Sequence, residues 1–191
     1  MAEKPYHHGD LRAALLAAGE AELAERGVEG FSLRSVAKRA EVSHAAPAHH
    51  FGDARGFLTA LATEGFQRFQ ASLDAREEGI TDRRERAVAA ALGYLDFAMT
   101  RPALFRLIFS SAKTDVADPD LLAAGKIAYG HLVWLIEQLA GGEADVAALW
   151  AMSHGIADLA SGQRLRSISD RPDAEREAMI RNLIERVLPR A

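Results

Sequence analysis

The side chains best suited to chemistry crowd between Ser32 and Gly56: Ser32, Arg34, Ser43, His44, His49, His50 and Arg55. No nucleophile–base pair and no glycine-rich phosphate loop is visible there or elsewhere. The three histidines fall at i, i+5 and i+6, with no acidic or cysteine partner at ligand spacing, so a metal site is not expected. What this set can do is recognise nucleic acid. Arginine reaches phosphate, histidine can donate to guanine, and the methyls of Ala45 and Ala46 can pack on thymine methyls. Arg34, Lys38, Arg39 and Arg55 face only Glu41 and Asp53 in this stretch, a local excess of two positive charges in a chain whose net charge is −4. Distribution outweighs the sum in such a case.

Holding these groups in place requires two short helices and a tight corner. Leu33, Val36, Ala37 and Ala40 make an apolar stripe at helical spacing, with Ser32 as its N-cap. Glu41-Val42-Ser43 is the turn, Val42 plugs the corner, and Ser43 is expected to cap a third helix from His44 to about His50. That is the helix-turn-helix pattern, whose second helix enters a major groove with its first residues toward base edges. His44, Ala45 and Ala46 are then placed at the bases, Ser32 and Ser43 at phosphates, and His49, His50 and Arg55 at the backbone, while Arg34 reaches phosphate or a base. Pro47 is tolerated in a first helical turn.

Helical periodicity continues on both sides. Leu11 to Ala21 forms a first helix, capped by Asp10 and ended near Gly27. Asp53 caps a fourth, to about Ala75. A fifth starts from Thr81 and stops before Pro102, followed by a short helix from Ala103 to Phe109, a loop over 111–118, and a helix opened by Pro119. Gly141-Gly142 separates this from two last helices, from about Ala144 to Leu165 and about Asp173 to Leu188. No strand alternation or hairpin signature appears, so the class is all-α. The run Asp82-Arg83-Arg84-Glu85-Arg86 reads as a solvated helix face. Domains are expected at 1–55 and 56–191, with the seam inside the fourth helix.

The chain has 191 residues, 49% of them apolar and 26% charged, with no cysteine, so disulfides and thiolate zinc sites are excluded. The polar opening MAEKPYHHGD has no signal-peptide core, and His7-His8 suggest an arm. The apolar region from Leu121 to Ala140 is broken by Lys126, His131 and Glu137, too polar to span a membrane. A cytoplasmic protein without cofactor and without enzymatic activity is the expectation.

The run Val36 to Phe51, with Ala37, Ala40, Val42, Ser43, His50 and Phe51 in register, resembles the DNA-binding domain of TetR-type regulators. Tyr6-His7-His8-Gly9-Asp10-Leu11-Arg12 resembles the opening of a subgroup whose C-terminal domain carries a Trp-His-Gly signature, matched by Trp150, His154 and Gly155. The resemblance implies about nine helices, a homodimer, and a C-terminal pocket whose ligand changes the spacing of two recognition helices. The chain departs from the family pattern at three places. Glu41 replaces the turn glycine, Ala48 the phosphate-contacting tyrosine, and Ala54 the lysine that opens the fourth helix. If the turn needs positive φ, Glu41 costs roughly 1 kcal/mol.

Candidate effector residues are Phe97, Phe105, Phe109, Trp134, Trp150 and His154, each with a plain alternative as core. For His154 that alternative is a core histidine satisfied by a backbone carbonyl. The apolar stripe of the last helix, Ala178, Met179, Leu183, Ile184, Val187 and Leu188, packs either on its own domain or on a second copy. The leading expectation is a ligand-responsive repressor that binds double-stranded DNA as a homodimer through its last two helices, on a near-palindromic operator. The competing one is a helical small-molecule-binding protein with weakened or lost DNA binding.

Overall fold

The computed structural model describes residues 8–190, apart from the side chains of His8, Gly9, Asp10 and Ser169. Among these residues there are ten helices and no strand: α1 (His8–Arg26), α2 (Leu33–Arg39), α3 (Ala46–Phe51), α4 (Ala54–Glu77), α5 (Arg83–Thr100), α6 (Pro102–Ser110), α7 (Pro119–Glu137), α8 (Glu143–Ser161), α9 (Arg166–Ser169) and α10 (Asp173–Glu185). The all-α expectation holds, and the tenth helix is the four-residue α9. No helix is long and apolar enough to cross a membrane among the described residues. The arm expected at His7-His8 begins outside those residues.

Two compact units divide the chain. One takes in the residues up to Gly65 with Ala103–Leu122, the other Phe66–Pro102 with Ala123–Ala191. The first therefore includes more chain than residues 1–55, adding the start of α4, α6 from Ala103 on and the start of α7. Its core is built from Leu15, Leu16 and Leu23 of α1, Val36 and Ala37 of α2, Phe57 and Leu61 of α4, and Leu104, Phe105 and Leu107 of α6, all essentially inaccessible. Gly19 is required where α1 meets α4, because a Cβ there would lie 2.2 Å from the Phe57 ring. In the second unit α5 is buried along most of its length, from Ala87 to Ala98. It packs against α8 and α10.

Several expected boundaries shift for local reasons. Asp10 lies inside α1 rather than at its cap. The cap of α5 is Asp82, not Thr81: its carboxylate accepts from Glu85 N–H. The mixed-charge run beginning there is not merely solvated. Arg84 donates to the carbonyls of Glu185 and Pro189, Glu85 accepts from Arg181, and Arg86 lies over Trp134. Long side chains placed near helix ends find the carbonyls that those ends leave unpaired.

Candidate functional site

The first unit assembles its candidate site from α2, α3 and the turn between them. Ser32 has extended backbone (φ −139°) and accepts from Ser35 N–H at 3.5 Å, the cap expected of it. Val36 and Ala37 are fully buried, so α2 turns its other face outward with Arg34 and Lys38, one helical turn apart. Ala40 ends the helix, and Glu41 takes φ +56°, the left-handed conformation that glycine adopts without a steric cost. The glycine position of the turn is thus real, and a glutamate occupies it.

The third helix differs from expectation. It starts at Ala46, and its N-cap is Ala45, without a side-chain cap. Ser43 caps nothing by its side chain; its carbonyl accepts from Ala46 N–H in a turn. Pro47 is the reason. A helix from His44 would open with a bond from residue 47 to the Ser43 carbonyl, and proline has no N–H to donate. The first regular bond instead runs from His49 N–H to the Ala45 carbonyl at 2.9 Å. His44 and Ala45 consequently sit on the turn ahead of the helix, both exposed, as are Ser43, His49, Arg34 and Arg55, while Ser32, Ala46 and His50 are half-buried.

Aromatic contacts fix this motif to the rest of its unit. Phe51, at the end of α3, packs at 4.4 Å on Phe57, which also meets Phe31 at 5.4 Å, and Arg12 of α1 lies over the Phe51 ring. Asp53 caps α4 by accepting from Gly56 N–H. Two of the four local cations are already engaged. Arg39 bridges Glu22 and Glu25 of α1, which holds the Glu25 carboxyl below its ordinary range, chiefly through that hydrogen bond. Arg55 meets Asp115 at 3.4 Å, in a loop that also hydrogen-bonds Thr59. Arg34 and Lys38 form no ion pair among the described residues. Lys38 was missing from the sequence-based set, although its i, i+4 relation to Arg34 was there to read.

The six effector candidates are divided between the two units. Phe105 and Phe109 pair at 5.1 Å within the first unit. Phe97, Trp134, Trp150 and His154 belong to the second. Phe97 is core, edge-on to Phe69 at 5.5 Å. Trp134 and Trp150 are 39% and 43% exposed, and Trp150 pairs with the equally open Tyr129. His154 Nδ1 lies 2.7 Å from the Tyr94 hydroxyl. Burial pushes the Tyr94 phenol up, and a hydrogen bond from Trp150 opposes that shift. Trp150 and His154, one turn apart on α8, thus meet at a single tyrosine of α5. A cleft of about 490 Å³ in the first unit, between the end of α1 and α6, and one of about 420 Å³ in the second, beside Thr81 and Leu139, include none of the six.

The model of bacterial regulatory proteins of the tetR family matches residues 15–61, and that of the tetracyclin repressor-like C-terminal domain matches residues 87–183. The chain belongs to the TetR family. A protein of unknown function from Rhodococcus sp. RHA1 is 36% identical over 98% of this chain and 100% of its own, with a TM-score of 0.79. A transcriptional regulator from the same organism is 27% identical over 92% of this chain and 95% of its own, with a TM-score of 0.70. A multidrug binding protein, EbrR, complexed with imidazole shares the fold at 21% identity, covering 98% of each chain, with a TM-score of 0.59. No curated protein matches. As a TetR-family member this chain is a transcriptional regulator with an N-terminal helix-turn-helix and a C-terminal helical domain, and regulators of this family typically respond to a ligand.

Proposed function

We propose that this TetR-family regulator is a cytoplasmic, non-enzymatic repressor of the Trp-His-Gly subgroup that binds a near-palindromic operator as a homodimer and leaves it when a small apolar or amphipathic effector binds. The observation that carries the reading is the helix-turn-helix itself, with Arg34 and Lys38 unpaired on its outer face. Residues 1–55 bind DNA. Arg34, Lys38 and the Ser32 and Ser43 segments meet phosphate, His44, Ala45 and Ala46 meet base edges, and His49, His50 and Arg55 flank them. Residues 56–191 bind effector and dimerise, with Phe97, Phe105, Phe109, Trp134, Trp150 and His154 as the effector candidates.

Pairing runs through the last long helices, α8 and α10. Trp150 and Leu159 of α8 are exposed; Met179 and Leu183 of α10, and Val187 in the turn after it, are half-open, while Ile180 and Ile184 of α10 and Leu188 beyond it are buried. The half-open residues are the ones that would meet a second copy. A dimer of this kind sets recognition helices about 34–36 Å apart, matching successive major grooves.

The test is selection of random duplex DNA by the purified protein at two salt concentrations. Enrichment of a near-palindrome is expected, with Arg34→Ala and Lys38→Ala each lowering the salt slope by about 1. Arg39→Ala leaves the slope unchanged, because its charge is spent on Glu22 and Glu25. Ala48 and Ala54, where the family pattern has phosphate contacts, favour a second reading: a small-molecule-binding protein with weakened DNA binding. Absence of enrichment at low salt would select it.

A further inference from the structure

In the second unit Asp74 and Glu77 of α4 and His131 of α7 offer ligand atoms that all lie within 4.8 Å of one another. The two carboxylates stand one turn apart on one helix face. His131 Nε2 is 2.6 Å from Glu77 Oε1, and the ring stacks on Trp134 at 5.8 Å. Glu77 is almost wholly buried, a place carboxylates take only when paired, and His131 is its close partner. Its other oxygen lies 3.4 Å from Arg86 Nε. Gln70, one turn before Asp74, donates its amide to Asp74 Oδ1 at 2.9 Å.

Two buried side-chain atoms lack a hydrogen bond among the described residues: Gln70 Oε1 and Arg86 Nε. Both belong to residues that touch this cluster. Unsatisfied buried polar atoms are few in native proteins, so their meeting at one place calls for a reason.

We infer that Asp74, Glu77 and His131 form a binding site for one divalent first-row transition-metal ion. One imidazole and two carboxylates suit Zn²⁺, Co²⁺ or Mn²⁺. Mg²⁺ and Ca²⁺ prefer all-oxygen sets, and a site without sulfur does not select soft Cu⁺. A tetrahedral ion at about 2.1 Å from each donor needs donor separations of about 3.4 Å. The His131–Glu77 contact opens by less than an ångström to allow it, and the others close from within 4.8 Å. His131 binds through Nε2 as neutral imidazole, with its ring proton on Nδ1. Glu77 keeps Arg86 on its second oxygen, and Gln70 orients Asp74, the outer partners that ligating carboxylates normally have. A water on the ion supplies the donor that Gln70 Oε1 lacks. The site ties α4 to α7 within this unit.

Chelator-stripped full-length protein titrated calorimetrically with Zn²⁺ tests this, with Mg²⁺ in parallel and Co²⁺ followed by its visible absorption. One Zn²⁺ per chain is expected, with a raised Tm and no response to Mg²⁺. His131→Ala and Asp74→Asn each weaken binding at least tenfold. Asp74 is exposed, so its variant remains folded and informative if His131→Ala does not fold. No saturable Zn²⁺ uptake, or uptake unchanged in both variants, overturns the site; the latter would place the ion on other histidines.

Discussion

In the first unit the helix-turn-helix is held largely by residues close in sequence: the Ser32 cap reaches three residues, the Asp53 cap three, and Arg39 finds Glu22 seventeen residues away. Outside the motif, Arg55 of the same unit meets Asp115 across 60 residues, and the polar contacts of the second unit have that longer reach. His131 meets Glu77 across 54 residues, His154 meets Tyr94 across 60, and Arg76 meets Glu177 across 101. The first arrangement leaves an exposed face with cations free to act. The second encloses polar groups in helix–helix contacts, where each depends on its partner. Loss of one member of a buried pair costs the desolvation of the other, whereas an exposed pair is worth little.

The strongest test of this contrast is in the apolar anchor of the first unit. Phe57 is fully buried beneath Phe31 and Phe51, and Phe57→Ala is expected to cost about 3–5 kcal/mol in denaturant unfolding. A loss below about 1 kcal/mol would mean that the motif is held by its caps alone. Next, Tyr94→Phe removes the hydroxyl between Trp150 and His154, and about 1–3 kcal/mol of stability should go with it. An unchanged unfolding midpoint would show that water replaces the phenol, making this region as forgiving as the exposed one.

A smaller effect runs the other way. Glu41→Gly relieves a left-handed φ and should stabilise the chain by about 1 kcal/mol. A destabilised variant would show that the glutamate side chain contributes more than its backbone strain costs. The smallest effect concerns Glu25, whose carboxyl is held below its ordinary range by Arg39. Its folded-state value lies below the unfolded one. Its contribution is therefore present above the unfolded carboxylate pKa of about 4.3 and lost as pH falls through the lowered value. Both side chains are largely open to water, so the difference between wild type and Glu25→Gln is slight at pH 7 and salt-sensitive, and it vanishes in acid. A difference that grows in acid would refute the assignment.

Much of the candidate interface was legible because its signals are local. A serine before an apolar stripe caps a helix, and the Ser32 cap and buried Val36 and Ala37 follow from that pattern alone. Glu41 was readable as the residue in a glycine's place, and its positive φ agrees. The start of α3 was misread although its cause was in plain view: Pro47 removes the donor that a Ser43 cap would have required. The Asp82 cap lay one residue from the expected Thr81, a choice between two competent side chains that only the backbone geometry makes.

The sequence by itself determined the all-helical class, the order of the long helices and the corner between α2 and α3, because helical period, caps and turn residues act over a few positions; the family was legible through the motif resemblance. Tertiary structure alone decided which cations stay free. Arg34 and Arg39 look alike in sequence, and only the approach of α1 with Glu22 and Glu25 separates them. It also decided that Trp134 and Trp150 stay partly open while Phe97 is core, and that Asp74 and Glu77 meet His131. Those pairings join residues many turns apart, and no periodicity records which distant helices will touch; packing of the whole chain selects them.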